Sequence, residues 1–225
     1  MEKILKSLEN YFRNEWKLWR SKRFLYSALI SFLILYVSTL INTLAGMAAT
    51  QSASSPVTDI VLSNIGRVDT SFIHGDITGY VRNAALVLLF LMPRYLPFGM
   101  KAIALLTVVR DAFINMTHLG IYPDAIPIVS FATFGGDLFF SGHVGVSVIV
   151  ALVFWDKKPL RYFFLFTAVL FGASALLGHY HYSIDVFSAP FIAYGVFVIA
   201  KKIFPDDEAL SRTGAYPLEP AVPIL

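Results

Sequence analysis

Cysteine is missing from all 225 residues of the chain. Disulfide frameworks, thiolate metal sites and thiol nucleophiles are therefore excluded, while the redox compartment stays open because a cysteine-free chain suits either side of a membrane. Charge is scarce as well: Asp, Glu, Lys and Arg make up 15% of residues, against roughly a quarter in ordinary soluble domains. A surface that faces water cannot be assembled from so little. The chain also lacks internal repeats, and no segment before its C-terminal tail is of low complexity. What it has instead is apolar mass, with 56% hydrophobic residues and a mean hydropathy of +0.65.

That mass is divided into six runs, residues 24–47, 77–92, 96–117, 138–155, 162–177 and 184–203. The runs are long enough to cross a membrane as helices, so the expected fold is all-α and polytopic, one membrane domain over residues 24–204. The first run is too long for a signal-peptide core and stays as an anchor. Arg82, inside the second, is read as a snorkelling side chain. Before the first run, residues 1–23 set Ile4, Leu8, Tyr11, Phe12, Trp16 and Trp19 at helical spacing beside seven lysines and arginines. This pattern predicts a basic amphipathic helix on an anionic membrane face, with the tryptophans as anchors. Residues 205–225 are expected to form a disordered cytoplasmic tail.

Lysine and arginine collect in short cytoplasmic loops. Arg94, Lys157, Lys158, Arg161, Lys201 and Lys202 fall on the same side as the N-terminal segment if all six runs span, and the opposite side holds Arg67 and little else. Both termini are thus expected in the cytoplasm of a cell membrane. The loops after the first, third and fifth spans would face the periplasm, the exterior or a lumen, and that is where histidines gather.

Two segments there carry chemistry, residues 136–143, which enter the fourth span, and residues 178–185, which enter the sixth. His181 and Asp185 are four apart, so a helix starting near Tyr182 stacks them, and the carboxylate fixes one imidazole nitrogen while the other stays available as nucleophile or base. Ser141, Gly142 and His143 combine a hydroxyl, a flexible turn and the N–H groups of a helix N-terminus, a setting that favours an anion, with a second histidine as proton donor. These are the parts phosphoryl transfer requires. Asp137 is either a cap for the fourth span or a site carboxylate, and His179 either a phosphate contact or a surface residue. Arg110 is either the remaining site cation or one half of an ion pair with Asp111 or another outer carboxylate. His74 and His118 are read as loop residues.

At these positions the sequence resembles the type 2 phosphatidic acid phosphatase superfamily, whose later motifs read P-S-G-H and S-R-x5-H-x3-D. Here they stand as Phe140-Ser141-Gly142-His143 and as Ser174-Ala175 followed by His181 and Asp185. The match is closer to the sphingomyelin synthase-like branch, which has a G-D upstream of S-G-H and a later H-x-H-Y-T-[IV]-D. Gly136-Asp137 and residues 179–185 are similar to these, and Pro56-Val57-Thr58-Asp59 is similar to that branch's P-L-P-D.

The resemblance implies a helical membrane core in which His181 attacks a lipid phosphorus, Asp185 orients its ring, and His143 acts as acid and then base. Substrate contacts would fall to Arg110, Ser141, Gly142, His179 and Asp137. Cations of the hydrolase pattern are missing: Ala175 stands where the arginine would, and Lys101 and Arg110 do not reproduce K-x6-R-P. Fewer cations suit a singly charged phosphodiester better than a dianionic monoester. The expected function is therefore transfer of a phospho-head group from a phospholipid to a lipid alcohol. The alternatives are an exoplasmic lipid phosphate phosphatase and a non-catalytic lipid-binding or transport protein. No metal, cofactor or nucleic acid is expected.

Overall fold

The computed structural model describes Arg13, residues 15–126 and residues 135–218. Residues 1–12, most of the expected interfacial helix, lie outside the described residues. Among the described residues every regular element is helical, and the chain is an all-α polytopic membrane protein.

Six helices stand where the six apolar runs predict them: α1 (Lys22–Gln51), α2 (Thr78–Leu91), α3 (Leu96–Met116), α4 (Gly142–Val153), α5 (Lys158–Leu177) and α6 (Ser183–Ile203). By length and composition α1, α5 and α6 each qualify alone as spans, whereas α2 and α3 qualify as a pair that turns through 108° between them. Alpha-2, with 14 residues, is too short to cross alone, and α3 buries Lys101, Arg110 and Asp111 inside the bundle. The fourth run is apolar over 138–155, yet α4 has 12 residues, because Leu138, Phe139 and Phe140 belong to a packed turn and not to the helix.

Helix starts follow local chemistry. The Ser21 hydroxyl accepts the Phe24 N–H at the head of α1, and Pro97 and Pro159 occupy first turns, where no backbone donor is needed. Alpha-1 lies along α3, and α4 is enclosed by α3, α5 and α6. Close approach there is possible because Ala102, Ala104, Ala151, Ala175, Ala189 and Ala193 face inward. Leu29, Leu33 and Leu44 on α1, Val169 on α5 and Phe191 on α6 turn outward, as side chains bathed in lipid would.

The tail beyond residue 204 is not wholly without structure, since Pro205–Thr213 forms a further helix, α7, at the lysine-bearing end. Asp207 accepts from Lys101 at 2.5 Å and from Ser27 at 2.6 Å, and Asp206 pairs with Arg23 at 2.7 Å. Its polar composition conceals this, because the partners that order it come from α1 and α3. Residues 219–225 lie outside the described residues.

Candidate active site

The histidine-bearing end is assembled from two helix N-termini locked together. Ser141 is the N-cap residue of α4, and its N–H donates to the Asp185 carbonyl at 3.0 Å, so α4 and α6 begin side by side. Arg110, reaching up from α3, donates through Nε to the Phe140 carbonyl at 2.8 Å and through Nη2 to the Asp137 carbonyl and to Asp137 Oδ2. The guanidinium thus braces the turn that presents Ser141, Gly142 and His143. A side chain at position 142 would be in its way: a Cβ there would stand 3.1 Å from Arg110 Nε. Asp137 is therefore not a helix cap but the partner of Arg110. Burial pushes the Asp137 carboxyl above the usual carboxylate range, and Arg110 partly offsets that.

At the start of α6, Asp185 is fully buried, and its Oδ2 accepts the Tyr182 N–H at 2.9 Å and faces His181 Nδ1 at 3.3 Å. A carboxylate can only accept, so the proton belongs on Nδ1 and the lone pair of Nε2 is left for the site. Loops at the histidine-bearing end hold this corner. Asp59 Oδ2 accepts the Ser183 N–H at 2.7 Å, and the Tyr182 hydroxyl donates to the Gly120 carbonyl at 2.8 Å while accepting the Val57 N–H at 3.1 Å. Asp59 lies in the segment Pro56–Asp59 picked out by motif, and its work is to cap α6 from a distant loop.

The sequence reading missed His74. It sits in a π turn, Ile73–Ile77, buried, stacked on Tyr180 at 4.4 Å and set edge-on to His143 at 4.5 Å. Its Nδ1 lies 3.5 Å from the Ser174 hydroxyl, the serine of the later motif. One ligand nitrogen from each of His74, His143 and His181 lies within 4.8 Å of the others. Nothing about His74 in sequence sets it apart from a loop histidine, beyond its falling on the same side as the motif histidines.

The remaining expected residues divide. His143, His181, Asp185, Ser141, Gly142, Arg110 and Asp137 come together. His179 takes a left-handed backbone, φ 56°, and its buried ring meets Tyr122 edge-on at 5.2 Å, making no ring contact with the three clustered histidines. Gly178 before it has no room for a Cβ, which would lie 2.2 Å from the Tyr180 ring. Lys101, named with Arg110 as the nearest approach to the hydrolase cations, is at the opposite end with Asp207. Arg82 is exposed. Buried atoms without a partner concentrate here, among them Ser141 Oγ, His143 Nδ1, both ring nitrogens of His179 and Asp185 Oδ1. Such groups cost free energy unless they serve a ligand.

Residues 135–202 match the family model described as PAP2 superfamily C-terminal. The matched stretch holds both helix N-termini, His143, His181 and Asp185. It supports membership of the PAP2 superfamily, and with it a phosphatase- or phosphotransferase-type activity on lipids in a membrane. No curated protein matches the chain.

Proposed function

We propose that the chain is a membrane lipid phosphotransferase of the sphingomyelin synthase-like kind, which moves a phospho-head group from a phospholipid to a lipid alcohol through a phosphohistidine on His181. The observation that carries this is the His181–Asp185 pair at 3.3 Å, with His143 at the N-terminus of α4 inside the same cluster. In the first half-reaction Nε2 of His181 bonds to phosphorus, the bond from phosphorus to the diacylglycerol oxygen breaks, and His143 gives that oxygen its proton. In the second, the acceptor hydroxyl returns a proton to His143 and attacks phosphorus, and the P–N bond breaks. The N–H groups that open α4 offset the charge growing on the phosphoryl oxygens.

The cation supply favours a diester donor. Arg110 is already engaged by Phe140 and Asp137, and Ala175 is buried where the hydrolase pattern carries an arginine. A dianionic monoester would meet too little positive charge. Purified protein in lipid nanodiscs should release diacylglycerol from an intact phospholipid, in step with a new phospholipid on the acceptor, faster than it releases phosphate from phosphatidate. Rapid phosphate release without transfer would establish the phosphatase reading instead.

A further inference from the structure

The three-histidine cluster has a capability that phosphoryl transfer does not use. Transfer through His181 needs one nucleophile and one acid–base group, and His74 is left over, yet it is buried and held in place from two sides by Tyr180 and Ser174. His74, His143 and His181 come from three separate elements, the π turn before α2, the start of α4 and the turn before α6. We propose that these histidines bind a single Zn2+ ion, and that the bound ion inhibits the transferase by occupying Nε2 of His181.

Donor type and surroundings select the ion. Three imidazoles with no thiolate, carboxylate or carbonyl among the ligand atoms suit Zn2+ and related transition ions, and suit Ca2+ and Mg2+ poorly. Zinc to nitrogen bonds of about 2.0–2.1 Å place tetrahedral nitrogens about 3.4 Å apart. The present spread is up to 4.8 Å, so binding requires the three nitrogens to draw in by up to about 1.4 Å. His181 already has the outer partner that zinc-binding histidines take, Asp185 on Nδ1, and Ser174 stands in the same relation to His74. His143 is the one of the three histidines that is not fully buried.

Inhibition rests on the phosphohistidine reading, whereas binding does not, so the two are tested separately. The full chain, on a tag free of histidine, is stripped with EDTA in nanodiscs and equilibrated with ZnCl2, and its zinc is measured by mass spectrometry. About one zinc per chain is expected, with at least tenfold weaker binding in His74→Gln and no change in His118→Gln, whose histidine is exposed elsewhere. Cobalt in place of zinc should give the visible absorption of a tetrahedral site, lost in the same variant. If His74→Gln does not fold, Asp185→Asn serves in its place, with an expected loss of affinity of about 10–100-fold. Substoichiometric zinc, or equal binding in these variants, overturns the site. Diacylglycerol release should fall at least tenfold in loaded protein and recover with EDTA, and unchanged release would overturn the inhibitory role. A chain that binds zinc through His74 but transfers no head group would retain the site and refute the phosphotransferase.

Discussion

Asp185 serves two N–H groups at once, that of the Tyr182 backbone and Nδ1 of His181, and so joins the geometry of a helix start to the tautomer of the proposed nucleophile. Removing the ring and mis-setting it are different losses. His181→Ala should reduce head-group transfer to background and leave no labelled phosphoenzyme, while Asp185→Asn should retain a trace, with a loss of about 10²–10⁴-fold. Normal transfer in His181→Ala would eliminate the phosphohistidine. Asp59 makes a prediction about pH. Burial alone would raise its carboxyl, but the N–H groups of Leu62, Ser183 and Val61 outweigh that and hold it below the usual value. Because the folded value is the lower one, the carboxylate contributes stability above the unfolded value of about 3.9, and that contribution is lost as pH falls through the folded value. Melting curves in detergent should therefore fall more steeply below about pH 4 for the parent protein than for Asp59→Asn. Parallel curves would mean that the ionised carboxylate is not what holds Ser183. Both roles lie in residues a motif could point to, but the pairing of Asp59 with Ser183 joins positions 124 apart in sequence, and no local pattern encodes it.

The helices divide into those that announce themselves and those that depend on neighbours. Alpha-1, α5 and α6 follow from length and hydropathy alone, and the His181–Asp185 pair follows from its i,i+4 spacing. The start of α4 does not, since three apolar residues before Ser141 look alike whether they extend a helix or fill a buried turn braced by Arg110. His74 was unreadable for a similar reason: its turn gains meaning only once α4 and α5 pack against it. Alpha-7 is the clearest case. Its ion pair joins Lys101 and Asp207 with both side chains less than a tenth exposed. Removing one partner strands a buried charge, so Asp207→Ala should cost about 3 kcal/mol, while Lys101→Met with Asp207→Leu should restore much of that. Thermal unfolding in detergent checks this, and transfer per folded molecule should stay unchanged because the pair lies at the end away from the histidines. Equal stability of Asp207→Ala and the parent would show that α7 is not fastened by this pair.

At the scale of the whole molecule, the lysine-bearing turns and α7 share one end and the histidines the other. We expect the lysine end in the cytoplasm and the histidine end outside. The absence of cysteine makes the test direct, because a single introduced thiol is the sole target for a membrane-impermeant maleimide. Ser54→Cys should be labelled on intact cells and Lys158→Cys only after permeabilisation, and the reverse pattern would put the histidines in the cytoplasm. The shortness of α4 has a further consequence. Its 12 residues rise about 18 Å, against a hydrocarbon layer of about 30 Å. Because α4 and α6 begin side by side and α6 has 21 residues, the shortfall lies at the Val153 end of α4, and His143 stays near the start of a helix long enough to cross. Hydrophobic mismatch would then bear on the turn at residues 154–157 and not on the depth of the histidines, which the full-length α6 sets.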